Sequence, residues 1–179
     1  MKTDLHITDP EFAERFEYFA FNEVINEENQ QLDEKTRYMA ILAALIGCGG
    51  VDAYEEVLPK AMENGVTPVM VKECVYQATD YLGYGRMLPF LRVTNAVLDR
   101  EGVALPLPGQ ATTTMEDRLE RGVAAQGGCE PQLTAHARGN LRLGNDSDFL
   151  TRVVLQCLPY IGYPRSLNAI ACIHKAAEE

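Results

Sequence analysis

The sequence predicts an all-α fold, and three observations predict it. Apolar residues recur at helical spacing through most of the 179-residue chain, with helix-start and helix-stop residues at the edges of each run. Sustained period-2 alternation, the mark of a half-buried strand, is missing. A block of helix, turn, arginine and helix occurs twice, at an offset of 79 residues.

Taken in order, the first element lies in TDPEFAERFEYFAFNEVI, with Asp9 as a candidate N-cap, Pro10 at the first helical position and Phe12, Phe16, Phe19 and Ala20 at helical spacing. DEKTRYMAILAALIG is apolar nearly all round from Met39, which predicts a buried helix ending at GCGG. Asp52 is a candidate cap for a third helix reaching about Asn64, with Pro59 inside it and Gly65 as its C-terminal glycine. Thr67 and Pro68 open a helix to about Leu82, and another follows Gly85 to about Arg100. EGVALPLPGQATTT reads as a linker over 101–113, dividing the chain into regions 1–100 and 114–179. Thr113 and Glu116 suit a capping box for a helix to Gln126, and helices from Pro131, Asp148 and Pro164 complete the chain.

The repeat sets Gly65–Leu88 over Gly144–Leu167 without a gap. Gly65 meets Gly144, Gln77 meets Gln156, Tyr81 meets Tyr160, Gly83 meets Gly162, Tyr84 meets Tyr163 and Arg86 meets Arg165. Polar and glycine identities in fixed register point to duplication rather than to shared helix composition. Tyr81, Tyr84, Tyr160 and Tyr163 are expected to pack the repeat turns.

Composition narrows the function. A net charge of −10 and a pI of about 4.8 repel nucleic-acid phosphates, and no Lys/Arg cluster offsets this. The longest apolar run, Met39 to Val51, is too short for a bilayer span, and MKTDLHITDPEF lacks a signal-peptide core, so a cytoplasmic protein with no membrane partner is expected. Five cysteines without a C-x-x-C pair are expected to be reduced there, and three scattered histidines have no zinc spacing; neither metal nor cofactor is expected.

GGCEPQLTAHARGN carries the chemistry. Gly127 and Gly128 end one helix and Pro131 opens the next, which puts Cys129 at a helix N-terminus, where the helix dipole favours thiolate while Glu130 opposes it. His136 shares a helix face with Cys129 at a rise of about 10 Å, so a water or a substrate has to bridge them. Gln132 lies between the two on that face.

The stretches GGCEPQLTAHARGNLRLGN, LPYIGYPRSLNAI and ENGVTPVMVKECVYQATDYLGYG resemble the carboxymuconolactone decarboxylase family, which includes alkylhydroperoxidase D-type peroxidases. The resemblance runs from about Thr36 to Ala177 as two copies. It implies an alkylhydroperoxidase D-like helical fold and homo-oligomers. The peroxidase branch has two cysteines spaced C-x-x-C and a histidine four residues beyond. Here Cys129 and His136 match, but Gln132 stands at the second cysteine; in the first copy Gly50 and Val57 replace Cys129 and His136, and Cys48 falls two residues early. Gln126 runs straight into Gly127 where two-copy relatives carry a longer helical stretch, so either the second copy is shortened or a neighbour's helix fills the gap. Glu116 is the nearest match to a family glutamate that assists the thiol. The resemblance thus implies a thiol peroxidase acting on a hydroperoxide, with Cys129 as nucleophile, His136 as acid/base, and Cys157, Cys172 or an external thiol resolving the sulfenic acid. A lyase acting on a small carboxylated lactone, with His136 moving the proton and Arg138, Arg142 or Arg165 holding the carboxylate, is the second reading. A degenerate member acting in binding or assembly is the third.

Overall fold

The computed structural model describes residues 5–109, 129–161 and 163–178. Its helices are α1 (Leu5–Thr8), α2 (Pro10–Tyr18), a π-helical segment (Phe19–Glu23), α3 (Val24–Asn26), α4 (Glu34–Cys48), α5 (Val51–Glu63), α6 (Pro68–Gln77), α7 (Thr79–Leu82), α8 (Tyr84–Arg100), α9 (Cys129–Arg142), α10 (Ser147–Ile161) and α11 (Tyr163–Glu178). No strand occurs among the described residues, as expected for an all-α chain. The predicted capping box at Thr113 and Glu116 and the helix to Gln126 lie outside them.

The caps set the boundaries. Asp33 accepts from the Thr36 N–H at 3.0 Å and starts α4; Gly49, at φ 80°, ends it in the left-handed region that a side chain would strain. Thr67 accepts from the Met70 N–H at 3.3 Å, with Pro68 as the first residue of α6. Pro10 opens α2 as predicted, but Asp9 makes no side-chain cap bond. Gly50, not Asp52, caps α5, because the chain has already turned at Gly49; Asp52 instead lies in the first turn, where a carboxylate suits the helix dipole. α5 runs on through Pro59 to Glu63.

The helix α4 is the central element, packing against α5, α6 and α10. Its Ile41, Leu42, Leu45 and Ile46 join Tyr54 and Leu58 of α5, Val71 and Val75 of α6, and Phe90 and Val97 of α8 in the main core. Each fully buried Ile or Leu there contributes roughly 1.5–3 kcal/mol. Within this core the Tyr54 hydroxyl meets Thr94 Oγ1 at 2.7 Å, which satisfies both buried groups. The prediction that α4 is buried all round needs correction: Ala43 and Gly47 are exposed and Ala40 and Ala44 half-buried, leaving a strip of small residues along one side. Gln156 of α10 ties the second half to the first, donating to the carbonyl of Val24 at 3.2 Å. A second, smaller cluster joins α9 to α11 through Ala137, Ile173 and Ala176.

Candidate functional site

Cys129 is the first residue of α9, the end at which backbone N–H groups have no helical partner. The side chains of Cys129 and Gln132, and Glu116 altogether, lie outside the described residues. Thr134 and Ala137 are buried, while Leu133 and His136 face outward on the same helix. The exposed His136 ring is not isolated. Its Nε2 lies 3.1 Å from the hydroxyl of Tyr81, and the two rings meet edge to face with centroids 5.9 Å apart.

Tyr81 is the residue that sequence reasoning assigned elsewhere. It belongs to α7, in the last turn before Gly83 reverses the chain at φ 75°. Tyr81, Tyr84 and Tyr163 are 54%, 64% and 66% exposed, so they do not pack the repeat turns as expected; Tyr160 alone of the four is largely inside. The signal available in sequence was the recurrence of the Y-x-G-Y turn, which marks a shared position but not its neighbour across the molecule.

Of the predicted arginines, Arg138 is half-buried on α9, two residues from His136, and residues so spaced on a helix do not face each other. Arg165, near the start of α11, borders a hollow of about 340 Å³ along α4 with Ala40, Cys48 and Cys157. Tyr81 borders a neighbouring hollow of about 330 Å³ with Cys74 and Gln77. Both hollows include Ala43 and Gly47, so the Tyr81–His136 pair and Arg165 flank one ridge of small residues on α4.

Two of the remaining thiols, Cys74 and Cys157, are held as protonated core groups. Burial pushes Cys74 up to about 11 and Cys157 up to about 12. The Cys157 S–H points to the Ala40 carbonyl at 3.5 Å, and that of Cys48 to the Leu45 carbonyl at 3.5 Å. Cys172 is buried. A β-carbon at Gly50, which the 79-residue sequence offset sets against Cys129, would come within 3.5 Å of Cys48 Sγ. Among the described residues no group of three or more His, Cys, Asp or Glu is arranged to hold a metal ion, and no helix is long and apolar enough to cross a membrane. A cavity of about 500 Å³ lies away from His136, between the N-terminal helices, α5 and Tyr160.

Against known proteins, residues 10–96, just under half of the chain, match the model of the carboxymuconolactone decarboxylase family. The second half, with Cys129 and His136, lies beyond the matched residues. No curated protein matches the chain.

Proposed function

We propose that the chain is a carboxymuconolactone decarboxylase-like protein with thiol-dependent hydroperoxide reductase activity, in which Cys129 is the nucleophile and His136 the acid/base. The observation that carries the reading is the pairing of His136 Nε2 with the Tyr81 hydroxyl at 3.1 Å, two turns along the helix that Cys129 opens. A helix N-terminus favours the thiolate. The thiolate attacks one peroxide oxygen, the O–O bond breaks, and the departing alkoxide takes a proton from the His136 imidazolium and leaves as alcohol. Cys129 is left as sulfenic acid. One external thiol then forms a mixed disulfide and releases water, and a second displaces it to regenerate Cys129. The external thiol is needed because Gln132 occupies the second cysteine position, Cys157 is locked in the core and Cys172 is buried.

The two halves are copies of one unit in this reading. Gly65 and Gly144 both adopt left-handed backbone, at φ 90° and 94°, and α5, α6 with α7, and α8 have counterparts in order in α9, α10 and α11. Replacing Cys129 with serine should abolish peroxide consumption supported by dithiothreitol, and replacing His136 with alanine should slow it by about 10²–10⁴-fold. Turnover that survives in the serine variant would overturn the assignment.

The lyase reading is favoured by one observation: Arg165 borders the same α4 ridge as the Tyr81–His136 pair, where it suits a substrate carboxylate. A lyase tolerates Cys129→Ser but not His136→Ala. A protein acting only in binding or assembly tolerates both.

A further inference from the structure

Along α6, Val69, Lys72, Glu73 and Tyr76 follow one another at helical spacings of three and four, so they share one face. α6 packs against α8, and that face meets Asn95 of α8 and the chain beyond α8, from Leu105 to Gly109. Between them lies a hollow of about 380 Å³, a size that suits a small organic ligand. It shares no lining residue with the hollows beside Tyr81 and Arg165.

Lys72 sets the chemistry of this hollow. It is 8% exposed, and lysine is almost never buried to that degree unless it is paired. Its ammonium donates to Asn95 Oδ1 and stands 5.8 Å from the centre of the Tyr76 ring. Asn95 and Tyr76 line the hollow, as Lys72 does, so the ammonium stands at its wall. Neither neighbour neutralises the charge, and among the described residues no carboxylate forms an ion pair with Lys72. An ammonium has three donors, of which Asn95 takes one. The Asn95 oxygen is occupied by Lys72, which leaves its NH₂ group as a neighbouring donor. A buried cation with donors to spare is stabilised by an anion that brings acceptors with it.

The rest of the lining says which anion. Glu73 borders the same hollow, so one negative charge is matched by Lys72 and a second would meet a carboxylate. That favours a monoanion over phosphate. The remaining wall is aliphatic, from Val69, Leu105 and Leu107 with Pro106 and Pro108, and offers nothing to the polar part of a ligand.

We infer that this hollow binds a small monocarboxylate with a compact apolar body, the carboxylate on Lys72 and Asn95 and the body against Val69, Leu105 and Leu107. The inference does not rest on the peroxide chemistry.

2-Naphthoate is a direct probe, titrated calorimetrically into the full chain beside 2-naphthamide, its neutral counterpart of the same shape. The wild type should bind naphthoate saturably, and naphthamide at least tenfold more weakly, a comparison that needs no variant. Lys72→Met keeps an unbranched apolar stem and removes a buried charge, so the helical circular dichroism should be retained. It should weaken naphthoate binding about ten- to hundredfold and leave naphthamide binding unchanged. Asn95→Ala should weaken naphthoate about five- to tenfold. Inorganic phosphate at the same concentration should not displace naphthoate, and His136→Ala should bind it as the wild type does. Absence of saturable naphthoate binding would overturn the inference, as would equal affinities for naphthoate and naphthamide, equal affinities of the wild type and Lys72→Met for naphthoate, or displacement by phosphate.

Discussion

Tyr81 holds the Nε2 side of His136, so in the proposed reaction it fixes both the tilt of the ring and the nitrogen from which a proton is given. Tyr81→Phe keeps the aromatic contact and removes the hydrogen bond. It should lower peroxide turnover about five- to tenfold and displace the histidine limb of the pH–rate profile. A profile that superimposes on that of the wild type would make Tyr81 a packing residue only. At this scale the chain was legible in part. Cys129, His136 and Gln132 can be singled out as candidates by residue type and spacing, because helical geometry fixes which positions share a face. Tyr81 cannot, because its partner is 55 residues away in sequence and on a different helix.

Element boundaries follow local rules closely where a cap and a proline coincide. Thr67 with Pro68 is the clearest case, and Thr67→Ala should cost about 1 kcal/mol in denaturant unfolding by leaving the Met70 N–H without its acceptor. An unchanged midpoint would mean that solvent serves equally well at that end. Where two signals competed, sequence reasoning chose wrongly. Asp52 is a good capping residue, but Gly49 had already broken α4 and the next helix started at once. The π-helical segment from Phe19 to Glu23 was also illegible, because one extra residue in the turn shifts the apolar register without any distinctive composition. The exposed strip on α4 has the same origin: Ala43 and Gly47 count as apolar in a periodicity, yet they are small, and the neighbours that reach Ile41 and Leu42 leave them uncovered.

For the whole molecule, the all-α architecture was readable from period and punctuation, whereas the way α4 and α10 bind the halves together came from packing that no local pattern encodes. The core also sets an alkaline limit. Cys74, Cys157 and Tyr160 are raised to about 11, about 12 and about 12, from ordinary values of 9.0 for the thiols and 10.0 for the phenol, with desolvation the main cause. The folded chain therefore keeps protons that the unfolded chain releases between about pH 9 and 12. Their contribution to stability is fully present below about pH 9 and is lost as pH rises through that window. The urea midpoint should be level up to about pH 9 and then fall; a midpoint that holds to pH 12 would contradict the burial of these groups. Assembly into a homo-oligomer belongs to this scale too. The exposed Ala43–Gly47 strip, with exposed Leu143, Tyr163 and Leu167, leaves apolar surface that a second copy would cover. Sedimentation should give a species larger than 19.9 kDa, and a monomer at every concentration would remove that proposal.

The most direct measurement of the central proposal is the site of oxidation itself. The reduced protein is exposed to one equivalent of hydroperoxide in the presence of a sulfenic-acid trap and mapped by mass spectrometry. The trap should appear on Cys129 and on no other cysteine, and more slowly in His136→Ala. A trap found on Cys48, Cys74, Cys157 or Cys172 instead, or an unmodified Cys129 while peroxide is consumed, would contradict it.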